Sequence, residues 1–208
     1  LNKCYLTNGS GIDLKFYNNK EGFINSEFFI FLCICRIIKD KGIIEYIKAA
    51  ELIKNEYPNV IFQLLGSIDK KYTNSINLDF FKKSLNKNVI KHFEFSNDVR
   101  PFITKADCIV LASYREGTSR SLLEGAALNK PLIASNVPGC NNIVKDNFNG
   151  YLFEPKNVHN TYQAMKKMLN LTPEKRKLMG ERSREYINNR FEINLVNSNI
   201  LKIIYENV

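Results

Sequence analysis

The stretch EGTSRSLLE at residues 116–124 places two carboxylates, Glu116 and Glu124, on either side of a small, hydroxyl-rich turn. The segment before it, ADCIVLAS at 106–113, has the apolar character of a strand buried in a parallel sheet. A strand that ends in such a turn and leads into a helix commonly binds phosphorylated ligands, because free N–H groups and the helix dipole attract anions. Carboxylates beside the turn are suited to hold neutral hydroxyls of a sugar or a ribose. The pattern therefore indicates a nucleotide-sugar site.

Both acids also allow a simpler interpretation. Ser121 and Glu124 have the spacing of a capping box, in which the acid only satisfies backbone N–H groups at the start of a helix. We expect the helix to begin at Thr118 or Ser119, which would put Glu124 beyond that capping position. Glu116 alone can be an ordinary loop acid. The residues by themselves leave both interpretations open.

A second candidate for anion binding follows the first predicted strand. Residues 35–42 read CRIIKDKG, so Arg36 and Lys41 come at the carboxyl end of that strand, where open α/β sheets form their binding clefts. Arginine can bind a phosphate as a fork and lysine as a point charge. The alternative is a solvated loop in which Lys41 and Gly42 only begin a helix. Farther along, Gly139 lies in a VPGCNN turn, where it either lets the backbone approach a ligand or simply turns the chain.

Strand-like and helix-like segments alternate along the chain, which predicts an α/β fold. The apolar runs predict strands at 28–35, 60–66, 89–93, 107–111, 131–135 and 150–153. Helices are expected at 42–57, 73–86, 97–104, 119–128, 139–144, 157–170, 173–190 and 192–206. Strands separated by helices favour a Rossmann-like, doubly wound parallel sheet of about six strands with right-handed crossovers. We interpret residues 1–27 as a connector from another domain, 28–190 as the main domain and 191–208 as a C-terminal helix.

The composition narrows the classes of partner and compartment. The net charge of +9 either attracts anions, such as nucleotide diphosphates or an anionic membrane surface, or reflects only a lysine-rich solvated surface. Basic residues are not clustered with aromatic ones, so we expect no nucleic-acid partner. No run approaches the ~18 apolar residues of a membrane span. His92 and His159 stand alone, and a structural role is expected for each. The five cysteines lack a C-x-x-C pair, which predicts free thiols in a reducing compartment and no metal site; they are Cys4, Cys33, Cys35, Cys108 and Cys140.

Taken together, the ordered motifs resemble the nucleotide-sugar-binding, C-terminal half of retaining GT-B glycosyltransferases of family four (glycosyl transferases group 1). The resemblance covers about residues 9–205. The opening NGSGID at 8–13 resembles the interdomain segment of that family. Two positions depart from the pattern, since Cys35 stands where Gly or Ala is usual and Gly125 where Ala is frequent. The motifs that carry the resemblance are Arg36-x4-Lys41-Gly42, Gly66 after the second strand, Glu116-x7-Glu124, Lys130-Pro131, Pro138-Gly139 and Asn149-Gly150.

The resemblance implies a role for each site residue. Arg36 and Lys41 would hold the donor diphosphate and steady the departing nucleotide. Glu116 would contact hydroxyls of the donor sugar, and Glu124 those of the ribose. The loop at 95–99 would frame the base, with UDP as the expected nucleotide and neither metal nor cofactor needed. Backbone N–H groups that would meet the β-phosphate or the sugar are those of Gly117, Thr118 and Ser119.

The resemblance also implies a larger parent enzyme. Because the chain begins at Leu1 and not at Met, we expect a fragment that binds the donor without completing transfer. The parent would be a cytoplasmic enzyme, peripheral on the inner membrane face, with an N-terminal acceptor domain onto which the last helix packs. It would move a hexose or N-acetylhexosamine, with retention, to a lipid-linked or surface-polysaccharide acceptor.

Two other functions stay open at this point. One is a GT-B-like nucleotide-sugar epimerase or phosphorylase, which shares the fold but needs other catalytic residues. The other is a non-catalytic module that binds anions or docks on membranes, whose binding would depend only on salt and anionic lipid.

Overall fold

The computed structural model describes Tyr5 and residues 7–18, 27–68 and 76–206. Within these ranges the chain forms a six-stranded sheet in which every pairing is parallel. The strands are β1 Phe29–Ile34, β2 Val60–Leu65, β3 Lys91–Phe93, β4 Cys108–Leu111, β5 Leu132–Ser135 and β6 Gly150–Phe153. Their order across the sheet is β3-β2-β1-β4-β5-β6. The predicted Rossmann-like sheet is confirmed, and the strand order reverses between β1 and β4, where such sheets open a crevice.

Helices cover both faces of the sheet. They are α1 Ile43–Glu56, α2 Leu78–Asn86, α3 Arg100–Lys105, α4 Arg120–Ala127, α5 Val158–Leu169, α6 Pro173–Phe191 and α7 Ile193–Tyr205. Two apolar clusters result, one under α1, α2 and α5 and the other under α3, α4 and α6. Phe31 and its neighbour Leu32 are both fully buried, in different clusters, which explains why β1 has no polar alternation.

The cysteines contribute to this core as thiols. Cys33, Cys108 and Cys140 are buried and free, and Cys35 is free and partly buried. These four agree with the predicted free thiols, and Cys4 lies outside the described residues. Burial raises the pKa of the Cys140 thiol to about 12, so this side chain stays uncharged and behaves as an apolar group.

Two helices, α2 and α3, begin three or more residues later than the sequence predicts. The side chain of Asn77 accepts the backbone N–H groups of Asp79 and Phe80 at 2.9 and 3.0 Å, so it caps α2 and sets its start at Leu78. Residues 73–75 of the predicted helix lie outside the described ranges. The helix expected at 97–104 begins only at Arg100, because Pro101 lacks an N–H group and fits in a first turn.

The short helix expected at 139–144 is wrong, since the structure has a series of turns there. The side chain of Asn149, which is fully buried, ends this segment. Its Oδ1 accepts the backbone N–H of Lys145 at 2.7 Å, and its Nδ2 donates to the carbonyl of Ile143 at 3.0 Å. These bonds replace the ones that a continuing helix would make.

The described part of the predicted connector, residues 7–18, packs on the main domain. The backbone N–H of Ile12 donates to the Phe191 carbonyl at 2.8 Å, and that of Ile193 donates to the Ile12 carbonyl at 3.1 Å. These bonds place the segment at the junction between α6 and α7. On α7 itself only Val196 is buried. None of the helices in the described ranges is long and apolar enough to cross a membrane.

We predict that Asn149→Ala lowers the free energy of unfolding by about 2–3 kcal/mol, because it leaves the backbone groups of Lys145 and Ile143 without their partner. Urea unfolding of the purified chain measures this. Asn142→Ala is the matched control, since Asn142 is exposed in the same segment and should change the value by less than about 0.5 kcal/mol. Equal effects of the two substitutions would contradict the prediction.

Candidate functional site

A cleft of about 360 Å³ opens at the carboxyl ends of β1 and β4. Its wall contains six of the seven predicted site residues: Arg36, Lys41, Glu116, Thr118, Ser119 and Glu124. The seventh, Gly117, lies between two of them, and a Cβ added there would meet nothing within 4 Å. The rest of the wall is formed by Ile34, Cys35, Leu111, Arg120 and Ser121. The structure therefore brings the predicted residues together in a volume that suits a small ligand.

The loop after β1 is pressed against the end of β4. Gly42 has a φ of +67°, and a Cβ added there would lie 2.0 Å from the carbonyl oxygen of Ala112. The backbone N–H of Tyr114 also donates to the carbonyl of Asp40 at 2.8 Å. Only glycine permits both this backbone conformation and this contact. The close approach brings Lys41, the residue before Gly42, over the loop that follows β4.

Lys41 and Glu116 form an ion pair across the cleft wall. The Lys41 Nζ donates to the Glu116 Oε1 at 2.6 Å, and the two side chains are only 20% and 13% exposed. A pair with this geometry and burial is a strong, charge-assisted hydrogen bond that orients both groups. Because an ammonium has three N–H donors, Lys41 can bind Glu116 and an anion at the same time.

The start of α4 faces the cleft. The Ser119 side chain accepts the backbone N–H of Leu122 at 3.4 Å, which makes Ser119 the capping residue. Glu124 therefore lies in the second turn of α4, and the capping-box interpretation is wrong. Since Ser119, Arg120 and Ser121 line the cleft, the positive end of the helix dipole is directed at a ligand bound there.

Gly139 packs against the backbone of the loop at 116–119. Its φ is +80°, and a Cβ added there would lie 1.9 Å from the Gly117 carbonyl oxygen. The backbone N–H of Ser119 donates to the Gly139 carbonyl at 3.3 Å. The close backbone approach that the VPGCNN turn permits is thus made with the loop at 116–119. The contacts of Gly139 therefore fix the position of the loop at 116–119 in the cleft wall.

Glu124 is buried, and among the described residues two side chains hold it, both through its Oε1. The Tyr17 hydroxyl donates to this oxygen at 2.8 Å, and the Arg120 Nε donates to it at 3.2 Å. The Arg120 side chain is 61% exposed although Glu124 is not, and an ion pair at this spacing on a helix typically stabilises by about 0.3–0.5 kcal/mol. A buried hydrogen bond to a charged group contributes about 1.5–3 kcal/mol, so Tyr17 is the stronger partner. Burial, then the hydrogen bond to Glu124 and the charge of Glu124, raise the pKa of Tyr17 to about 12 against a smaller opposing effect of Arg120, which keeps the hydroxyl protonated and donating.

Tyr17 and Arg120 were missed by the sequence analysis. Arg120 follows Ser119 directly, so its position in the first turn of α4 could have identified it. Tyr17 is separated from Glu124 by 107 residues, and no spacing rule connects the two.

Other sequence-based candidates lie away from the cleft. Phe95, in the loop expected to frame a base, is 70% exposed, and residues 95–99 are absent from the cleft wall. The Nε2 of His92 lies 2.8 Å from the Gly66 carbonyl oxygen, a structural contact. His159 lies near the side chain of Gln163 on α5. Over the described part of the chain, no three His, Cys, Asp or Glu side chains are grouped so that they could hold a metal ion.

A second cleft, of about 380 Å³, lies along the edge strand β6. Asn136, Glu154 and Lys167 are among the residues that line it, and it contains none of the predicted site residues. It provides an internal comparison for any test of ligand binding.

Residues 16–186 match the sequence model of a family described as Glycosyl transferases group 1. Over 171 residues the chain is 29% identical to the capsular polysaccharide biosynthesis glycosyltransferase CapM of Staphylococcus aureus, covering 81% of this chain and 43% of that protein. Over 168 residues it is 27% identical to the UDP-Gal:alpha-D-GlcNAc-diphosphoundecaprenol alpha-1,3-galactosyltransferase of Escherichia coli, covering 79% of this chain and 42% of that protein. The chain therefore spans less than half the length of these two relatives.

The fold is also similar to a solved structure, that of Anabaena Alr3699/HepE in complex with UDP. The TM-score is 0.83 at 18% identity, and the match covers 94% of this chain and 56% of the other. At this identity the likeness shows the fold alone, which is that of a GT-B half.

We predict that Gly139→Ala destabilises the chain by about 2–4 kcal/mol, because a side chain there requires both a left-handed backbone and a shift of the Gly117 carbonyl. Thermal and urea unfolding measure the loss. Gly117→Ala is the matched control in the same loop, where a Cβ has open space, and we expect a change below about 1 kcal/mol. A Gly139→Ala variant as stable as the control would refute the supporting role of Gly139.

Proposed function

Because this chain belongs to the glycosyl transferases group 1 family, we propose that it binds the nucleotide-sugar donor of a glycosyltransferase, with UDP as the nucleotide. The observation that supports this most is the cleft between β1 and β4. There, Arg36, Lys41 and the N-terminus of α4 offer positive potential, and Glu116 and Glu124 offer acceptors for hydroxyl groups. A nucleoside diphosphate sugar presents the complementary groups, namely a diphosphate between two hydroxyl-bearing rings.

The distances suggest how the donor is divided among these groups. The Lys41 Nζ and the Glu116 Oε1 are 2.6 Å apart. Because the sugar is bonded to the β-phosphate, the residue that binds the phosphate and the residue that binds the sugar should lie close together, as these two do. The diphosphate would lie against Arg36, Lys41 and the first turn of α4. Glu124, one turn farther along that helix, would accept hydrogen bonds from the ribose hydroxyls.

The chemical role of this chain is then electrostatic. When the bond between the sugar and the β-phosphate breaks, negative charge develops on the departing UDP. Lys41 and Arg36, together with the N–H groups of Gly117 and Thr118, are fixed donors for that charge, and such preorganised groups lower the barrier. The backbone N–H of Ser119, which the sequence had assigned to the same role, is bound instead to the Gly139 carbonyl. Glu116 would position the sugar as it leaves. We assign retention of the anomeric configuration to the reaction, as the family pattern implies.

The relatives suggest the reaction of the whole enzyme. One is named for a UDP-Gal donor and a diphosphoundecaprenol-linked acceptor, and another for capsular polysaccharide biosynthesis. We propose transfer of a hexose or N-acetylhexosamine to a lipid-linked or surface-polysaccharide acceptor, which a second, acceptor-binding domain would hold. The net charge of +9 would favour a cytoplasmic, peripheral position on an anionic membrane.

Because the acceptor would be held by a second domain, we predict that the chain alone binds the donor but does not transfer its sugar. Incubation with radiolabelled UDP-galactose or UDP-N-acetylglucosamine and an undecaprenol-linked acceptor should give no product above the no-enzyme background. Transfer by this chain alone would show that the acceptor-binding machinery is not in a separate domain.

We predict that UDP binds the purified chain with a Kd of ~10 μM to 1 mM, or roughly −7 to −4 kcal/mol, since one wall of the site comes from this chain. Calorimetric titration measures the affinity, with free uridine as the control that lacks the diphosphate. Absence of both heat and thermal stabilisation at millimolar UDP would refute donor binding.

We further predict that substitutions of Glu124 and Glu116 affect different ligands. Glu124→Gln should weaken UDP about 10-fold, or ~1.4 kcal/mol, because the amide has one acceptor fewer for the ribose. Glu116→Gln should leave UDP nearly unchanged, because the amide oxygen can still accept the hydrogen bond of Lys41, and it should weaken only the UDP-sugar. Each variant is titrated with UDP and with UDP-galactose. A Glu124→Gln variant that melts at a lower temperature but binds UDP normally would mean that Glu124 is structural.

A further inference from the structure

Tyr17 is fixed by the domain before any ligand binds. Only 6% of its surface is exposed. Its ring packs edge-on against that of Phe16, with 5.1 Å between the ring centres. Its backbone N–H donates to the Asp13 carbonyl at 3.1 Å. Its own carbonyl accepts a hydrogen bond from the Arg184 Nη1 at 2.8 Å. The position of its hydroxyl is therefore set by packing on several sides.

Arg184 connects this segment to the helix that carries Glu124. Besides the Tyr17 carbonyl, its guanidinium donates to the Leu14 carbonyl at 3.2 Å and to the carbonyl of Ala127, the last residue of α4. Because one planar guanidinium binds both segments, residues 14–17 and α4 keep a fixed distance. The hydrogen bond between Tyr17 and Glu124 spans that distance.

The adjacent residue, Phe16, is connected through Arg100 to the loop after β3. The Arg100 guanidinium stacks 3.9 Å from the centre of the Phe16 ring and donates to the Phe16 carbonyl at 3.3 Å. Arg100 also holds Asp98, in the loop after β3, at 2.8 Å. The dipeptide Phe16-Tyr17 thus joins the chain before β1 to two elements at the carboxyl edge of the sheet.

We propose that Tyr17 is a positioning residue that holds the Glu124 carboxylate in the orientation needed to accept the ribose hydroxyls of the donor. This rests on the proposed role of Glu124 as the ribose ligand. A carboxylate can rotate about its terminal bonds, and the Tyr17 hydroxyl fixes it by holding Oε1. Without that hydroxyl, Arg120 is the one side chain in the described ranges that still binds the carboxylate, and its 61% exposure leaves it less restrained than Tyr17.

The assignment extends the donor site beyond the loops that follow the strands. A segment before β1, which contributes no side chain to the cleft wall, would control the geometry of a residue inside it. The effect should be specific to ligands that carry ribose hydroxyls, because Tyr17 acts only through Glu124.

Tyr17→Phe tests this, since it removes one oxygen and keeps the buried ring. The ligands are UDP, its 2′,3′-dideoxy analogue and inorganic pyrophosphate, each measured by calorimetry. We expect UDP to bind about 3- to 10-fold more weakly, or ~0.7–1.4 kcal/mol, because the Glu124 carboxylate keeps its charge and loses only its fixed orientation. The dideoxy analogue and pyrophosphate should bind as they do to the unchanged chain. Tyr162→Phe is the matched control, because its hydroxyl bonds Glu56, which is outside the cleft.

The comparison with Glu124→Gln separates the inference from the function on which it rests. In the Glu124→Gln background, Tyr17→Phe should cause no further loss of UDP affinity. If Glu124→Gln leaves UDP binding unchanged, the ribose assignment fails, and the role of Tyr17 fails with it. If Glu124→Gln weakens UDP but Tyr17→Phe does not, the inference alone is overturned. An equal loss for all three ligands would also overturn it, since that would reflect general destabilisation.

Discussion

The ion pair between Lys41 and Glu116 depends on the order of the strands. These residues are 75 positions apart in sequence, yet their side chains meet at 2.6 Å because β1 and β4 are neighbours in the sheet. The contact also requires the loop after β1 to reach the end of β4, which the missing side chain of Gly42 allows. If either condition failed, the Lys41 ammonium would no longer reach the Glu116 carboxylate. The arrangement of the remaining site residues follows from this junction.

The cleft has a mixed electrostatic character, and the two kinds of charge have different partners. Lysine, arginine and the start of α4 suit an anion, whereas Glu116 and Glu124 would repel one. Each acid is held by a donor, Lys41 for Glu116 and Tyr17 for Glu124, which fixes its orientation, and Lys41 also compensates the charge of Glu116. Oriented carboxylates bind hydroxyl groups well. The combination therefore suits the proposed nucleotide-sugar donor better than it suits a simple phosphate.

Much of this could be read from the sequence, and the limits are physical. Buried parallel strands lack polar alternation, so the inner strands β1, β2, β4 and β5 were recognisable as apolar runs, and the alternation of strands with helices predicted the sheet. The edge strand β3 is only Lys91–Phe93 and is not apolar throughout. The candidate site residues after strands β1 and β4 were recognisable because strand ends converge at one edge. Boundaries were less accurate, since Asn77 and Pro101 set helix starts through local hydrogen bonding. Tyr17 was beyond reach, because its partner is distant in sequence and only the packing of the segment before β1 brings them together.

Nuclear magnetic resonance of the ¹⁵N-labelled chain tests the central claim most directly, because it locates the bound nucleotide residue by residue. On titration with UDP, we predict that the largest changes in amide shift occur at Arg36, Lys41 and residues 117–121, around the junction of β1 and β4. The second cleft, along β6, has a similar volume and should be unaffected. Shifts that cluster instead at Asn136, Glu154 and Lys167, with none in the loop at 116–121, would contradict the account.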